Sequence, residues 1–395
     1  TIDDKAKIIR AQFSDYVQLA IGGSALGGIA LHNALGNKFV LHSENGQCRV
    51  HMPDNIDPDW IGDILNSIKI ETTFFNIISK SGGTVETLAN FFVFYNALKQ
   101  KVPTEKLREN IVIMTNPEKG PLAELSWEAG FTLIPIPESV HGRFSVLSPG
   151  GLLTAAVSGI DINELLKGAW VMNQLTDEMD FWKNPVSLYA AIHYLTDKQK
   201  NIDTLILMPY SQSLRTIGDW YSQLVAESLG KNAQGITPVK ALGATDQHSQ
   251  LQLYNEGPKN KLITFFSVDK FKREIRIPEE FPECKEYQYL WGHTINELID
   301  AERRATAISL YNNGVPNCTF HIPQLTPFYM GQLFMLLEKV IPILGKLYGV
   351  NAFNQPGVEE SKKYARAMLG KKGKEYDKIR QEVEFHSRAN NSRIV

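Results

Sequence analysis

Residues 16–35 read YVQLAIGGSALGGIALHNAL. An apolar run of strand length ends at Ile21, a glycine-rich turn covers residues 22–28, and residues 29–35 continue in a helical pattern. Strand, glycine turn and helix in that order open a parallel α/β sheet, because a parallel neighbour is reached only through a crossover. The same order recurs along the chain. Residues 74–78, 111–114 and 131–136 read as further strands of the first half, and 204–208, 262–268 and, more weakly, 318–322 as strands of the second. Residues 159–183 are helical in pattern and separate the halves. The expected fold class is α/β, with two doubly wound parallel-sheet domains, each three layers deep (α/β/α). They cover residues 1–160 and 184–365, with a helical connector at 161–183 and a C-terminal helical segment at 366–395. No short-period repeat or low-complexity tract is visible, and two units of similar build leave a distant internal duplication open.

The 395 residues carry 41 Lys and Arg against 43 Asp and Glu, a formal net charge of -2, too balanced for a nucleic-acid binder. Any anion is gripped locally. Hydrophobic residues at 43% and charged residues at 21% give the make-up of a compact globular protein, and the length favours two domains over one core. Cys48, Cys284 and Cys318 lack the close spacing of metal or redox sites, so no metal is expected. Glu338, Lys339 and Lys346 interrupt the most apolar stretch, leaving none of the roughly 20 uninterrupted residues that a membrane helix needs. The chain opens at Thr1 without a secretory signal, so a cytoplasmic protein without a membrane partner is expected, and an upstream segment is left open.

In open α/β sheets, ligands gather beyond the carboxyl ends of the strands. After the first strand, Gly22, Gly23 and Ser24 could bring backbone N–H groups close to an anion. Ser24 stands where a dinucleotide fingerprint has its second glycine, and no P-loop lysine follows, so a plain tight turn explains the loop equally well. After the second strand, Ser79-Lys80-Ser81-Gly82-Gly83-Thr84 places three hydroxyls and flexible backbone at the start of a helix. That suits a phosphate, with the positive helix end adding attraction. Capping of the helix by Ser or Thr, worth about 1 kcal/mol, is the alternative.

Residues 217–230 have helical spacing of apolar side chains, and Gln223 and Glu227 share a face. Glu227 falls in the last turn, where the negative helix end disfavours the charged carboxylate, the direction a base working near neutrality requires. Residues 243–248 form a polar, turn-like segment ending in His248, which suits proton exchange. Gly142 and Arg143 present a guanidinium after a glycine, useful against developing negative charge. Residues 354–362 read as a loop entering a helix, with Lys362 able to reach a substrate oxygen, whereas residues 371–374 are solvated surface.

Six blocks occur in order: GGSALGG (22–28), SKSGGTVET (79–87), GRFSVLSPGGL (142–152), QLVAESLGK (223–231), GATDQHSQLQL (243–253) and NAFNQPGVEESK (351–362). Together they closely resemble the phosphoglucose isomerase family. The resemblance implies two sugar-isomerase (SIS) domains, reversible conversion of glucose 6-phosphate to fructose 6-phosphate in glycolysis and gluconeogenesis, and no cofactor. It also implies a homodimer with a shared site, the histidine coming from the neighbouring subunit. By the same resemblance Ser24, Ser79, Lys80, Ser81 and Thr84 hold the substrate phosphate, and Gly23 also binds substrate. Gly142 and Arg143 lie beside the reacting carbons, Gln223 and Gln355 contact the substrate, and Glu227 is the base between C1 and C2. His248 and Lys362 open the ring. His141 stands where relatives often have glycine, Gly83 where threonine is frequent, and little precedes Tyr16 where relatives carry helices. A non-catalytic SIS-type sugar-phosphate sensor would need the anion loops but neither Glu227 nor His248. An isomerase that also accepts mannose 6-phosphate or an amino sugar is the nearer rival.

Overall fold

The computed structural model describes residues 1–36 and 48–391. The first α/β unit runs α1 (Ile2–Gln12), β1 (Asp15–Leu19), α2 (Gly23–Leu35), β2 (Arg49–His51), α3 (Pro58–Ser67), β3 (Thr73–Ile78), α4 (Val85–Lys99), β4 (Ile111–Thr115), α5 (Pro121–Ala129) and β5 (Thr132–Pro135). Helices α6 (Pro149–Val157) and α7 (Ile162–Leu175) follow. The second unit runs α8 (Pro185–Lys200), β6 (Thr204–Pro209), α9 (Ile217–Leu229), β7 (Thr237–Lys240), α10 (Thr245–Glu256), β8 (Lys261–Lys270), α11 (Ile295–Asn312), β9 (Asn317–Gln324) and α12 (Pro327–Tyr348). The last described helices are α13 (Glu359–Met368) and α14 (Lys374–Asn391).

Every pairing between these strands is parallel, in the orders β2-β1-β3-β4-β5 and β7-β6-β8-β9. Apart from the fifth strand, the two orders are the same. In each sheet the second strand lies outside the first and the third inside it, so the connections diverge and leave a crevice at the carboxyl ends of β1 and β3, and of β6 and β8. Two doubly wound parallel sheets are therefore the architecture, as the sequence pattern implied.

Two strands, β2 and β7, carry no pattern that sequence reading detects. Both are edge strands of three and four residues, half-exposed, and β7 contains Pro238, which an edge tolerates because one side of its backbone has no ladder partner. The N-terminal region is a correction. More than little precedes Tyr16, since α1 is an 11-residue helix started by a Thr1–Asp4 capping box, with Ala6 and Ile9 buried.

Side chains alternate between the two faces of each strand, as a strand's period of two requires. Val17, Leu19, Phe75, Ile77, Ile111 and Ile113 meet α3, α4 and α5 in one core, while Ile206, Met208, Ile263 and Phe265 meet α10 and α11 in another. The opposite faces of both sheets share a third core, continuous from Ala6 to Ala352, filled by α2, α6, α7, α8, α9 and α12. Two sheets thus abut through one apolar layer. Where α7 crosses α12, a Cβ on Gly168 would lie 1.8 Å from the Phe328 carbonyl oxygen, and one on Gly331 would lie 1.9 Å from that of Leu165. Only hydrogen fits at either position. Helix α12 is long and apolar enough to cross a membrane by length and composition alone, yet it packs here between α7, α8 and α9 with Leu333, Phe334, Leu337, Val340 and Ile341 buried.

Candidate active site

Apart from His248 and Lys362, the candidate residues lie at the crevice of the first sheet, at the end of α9 and at the loop before α13. β1 leaves the sheet into Gly22, whose φ of 56° is cheap only for glycine, and α2 begins at Gly23. A Cβ on Gly23 would lie 2.3 Å from the Arg143 amide nitrogen, so the start of α2 is pressed against the helical turn Gly142–Phe144. Ser24 borders the same turn, its Oγ 3.4 Å from where a Gly142 Cβ would stand.

β3 leads into the second loop. Thr84 occupies the cap position of α4, but its hydroxyl bonds Ser79 Oγ at 2.8 Å and does not accept from the helix. The capping alternative therefore fails. The first-turn N–H groups of α4, which have no intrahelical partners, keep their capacity for an anion. Gly83 N donates to Ser81 Oγ at 3.3 Å, and the Lys80 ammonium donates to the Glu138 carbonyl at 2.5 Å. Burial holds Lys80 below the usual lysine pKa; Glu138 opposes this, and Lys119 and Arg143 add to it.

Arg143 is 2% exposed and makes four hydrogen bonds and one ion pair. Nε donates to Ser228 Oγ at 2.8 Å; Nη1 meets Gln355 Oε1 at 2.6 Å and Glu227 Oε1 at 3.2 Å; Nη2 donates to the carbonyls of Ala352 at 2.7 Å and Asn354 at 3.3 Å. The other Glu227 oxygen accepts from Gln223 Nε2 at 2.9 Å. Helical spacing put Gln223 and Glu227 on one face, and the bond between them follows from it. The guanidinium beside this carboxylate is a neighbour that the helix pattern alone does not show. One hydrogen bond and one ion pair reach this carboxylate, and its side chain is 20% exposed, so it is open to a further partner. His141 feels both loops: burial lowers its pKa, the charges of Lys80 and Arg143 lower it further, and Glu227 opposes.

His248 and Lys362 stand apart from this cluster. His248 lies in the first turn of α10, not in a turn-like segment, because the backbone N–H of Asp246 and His248 already donate to Leu242 and Ala244 in helical fashion. It is exposed, and no hydrogen bond or ion pair among the described residues joins it to Arg143 or Glu227. Lys362 is on α13, exposed, and pairs with Glu359 at 2.8 Å. Residues 371–374 are exposed, as expected of solvated surface.

Sequence reading missed Ser228, Lys231, Thr87 and the carbonyls of residues 352 and 354. Thr87 follows Thr84 by three residues, hence on the same helix face, and its buried Oγ1 has no partner among the described residues. That spacing was the available signal. Among the described residues no group of three or more His, Cys, Asp or Glu side chains converges as a metal site.

Comparison with known proteins agrees with this geometry. The family model described as phosphoglucose isomerase matches residues 6–281 and 284–391. A glucose-6-phosphate isomerase of Carboxydothermus hydrogenoformans is 44% identical over 394 residues, covering 97% of this chain and 84% of the relative. One from Rubrobacter xylanophilus is 40% identical over 361 residues, covering 91% and 83%. A solved structure of a hypothetical protein from Thermus thermophilus superposes with a TM-score of 0.85 at 34% identity, over 93% of this chain and 87% of that one. A glucose-6-phosphate isomerase structure from Chlamydia trachomatis shares the fold, with a TM-score of 0.81 at 23% identity, over 97% and 75%. The chain belongs to the phosphoglucose isomerase family.

Proposed function

We propose that the chain interconverts glucose 6-phosphate and fructose 6-phosphate, serving glycolysis and gluconeogenesis, through ring opening and a cis-enediolate. Family membership supports the isomerisation. The observation that carries the mechanism is the Arg143–Glu227–Gln223 array: a carboxylate 3.2 Å from a buried guanidinium and 2.9 Å from an amide.

Moving hydrogen between adjacent carbons requires a base, a stabiliser for the negative intermediate, and a linear substrate. Ser24, Ser79, Lys80, Ser81 and Thr84 hold the phosphate at the helix starts, with Gly23 allowing close approach and Thr87 offering a spare hydroxyl. Charge-assisted bonds there supply binding energy remote from the reacting carbons, which orients C1 and C2. Glu227 takes the proton from C2 and returns it to C1. Arg143, held in place by four hydrogen bonds, acts on the enediolate as a fixed charge that needs no reorganisation. Gly142, Gln223 and Gln355 contact the sugar chain.

Ring opening falls to His248, with Lys362, moving a proton between the ring oxygen and the C1 hydroxyl. The exposure of His248 and its separation from Glu227 support a homodimer in which His248 of the partner subunit completes each site. A coupled assay without added metal should show purified protein converting fructose 6-phosphate to glucose 6-phosphate. Conversion of neither sugar would favour the sensor reading. His248→Ala should slow turnover of cyclic substrate by about 10²-fold or more, with a much smaller effect on an open-chain analogue. Equal losses on both would count against ring opening by this residue.

A further inference from the structure

Two cations stitch the end of α9 to residues 351–355, and only one of them touches Glu227. Arg143 is the inner one. Lys231 is the outer: one residue past Gly230, which closes α9, its ammonium turns back to donate to the Ser228 carbonyl at 2.6 Å and crosses to the Asn351 carbonyl at 2.7 Å. The Ser228 carbonyl is one of the last four of α9, which lack intrahelical partners and carry the negative helix end. Ser228 is therefore held twice, at its carbonyl by Lys231 and at its hydroxyl by Arg143. The loop is held twice as well, at residue 351 by Lys231 and at residues 352, 354 and 355 by Arg143.

We propose that Lys231 is a positioning residue for the isomerisation: by tying α9 to residues 351–355 it fixes the distance between Glu227 and the Gln355–Arg143 pair. This inference rests on the reading of Glu227 as the base. Lys231 contacts neither Glu227 nor the phosphate loop at residues 79–84; it acts through Ser228 and Asn351. Arg143 and Glu227 are the charged groups felt by its ammonium, the first repelling and the second attracting. The arrangement holds two like charges near one helix end, where the negative pole and the last carbonyls favour a cation. What the ammonium provides is a bridge between two carbonyls that a neutral side chain of the same length cannot supply.

The test compares Lys231→Met and Lys231→Arg with the full-length wild-type chain in the fructose 6-phosphate assay. Loss of about 1 Å of alignment can cost ~10²-fold in rate, so the Met variant should lose roughly 10- to 100-fold in kcat while KM changes less than about threefold. The Arg variant, which keeps charge and donors, should recover most of the loss. Three results overturn the proposal: a Met variant within about twofold of wild type in kcat; an Arg variant as inactive as Met at unchanged thermal midpoint; or a rise in KM with kcat intact. If Met fails to fold, Lys231→Gln and the Arg variant decide the matter on the same criteria. An inactive wild-type chain would instead sink the isomerase reading itself.

Discussion

Glu227→Gln should abolish turnover while leaving the fold and sugar-phosphate binding in place. The array explains why the substitution is tolerated. The amide oxygen of the new side chain can face Arg143, and its NH2 then points at Gln223, whose Oε1 has no partner among the described residues. Rotation of the Gln223 amide converts a clash between donors into a hydrogen bond. The loss is therefore one of basicity. Removing a general base commonly costs ~10² to 10⁴ in rate, so kcat for fructose 6-phosphate should fall by that range, with affinity measured by titration calorimetry changed little. Retention of more than about half the activity would refute the role.

Replacing Arg143 should damage both stability and catalysis. Arg143→Met strands the Glu227 carboxylate and leaves Ser228, Gln355 and two backbone carbonyls without their buried donor. Removing one member of a buried ion pair costs about 3 to 5 kcal/mol, readable as a lower midpoint in urea denaturation. Losing a positioned charge beside an oxyanion removes roughly 10² to 10³ in kcat. Arg143→Lys should rescue neither fully, because an ammonium presents three donors from a point where the planar fork presents five. A Lys variant with near wild-type stability and rate would show that the geometry of the fork is unimportant.

The parts of this site that are legible in sequence are those encoded over a few residues. A strand ending in Gly22-Gly23-Ser24, a hydroxyl loop before a helix, and Gln223 four residues before Glu227 each leave a local pattern, and the structure places all three as their spacing implies. The partners of Arg143 leave none. Ser228 lies 85 residues away and Ala352 lies 209, and a backbone carbonyl has no sequence signature at all. The edge strands β2 and β7 were hidden for another reason. Flanked on one side only, they need no apolar alternation. The helical setting of His248 was obscured because α10 has a polar first turn, which reads as a loop when only composition is considered. Family resemblance supplied roles that no local pattern carries, the ring-opening assignments of His248 and Lys362 above all.

The bond from Arg143 to Gln355 joins residues 212 apart. During synthesis from the amino terminus, the strands of the first sheet and its hydroxyl loop are made long before that glutamine leaves the ribosome. Throughout that interval the nascent chain carries an arginine whose burial awaits its acceptors, so the reactive centre is finished only after residue 355 has been made.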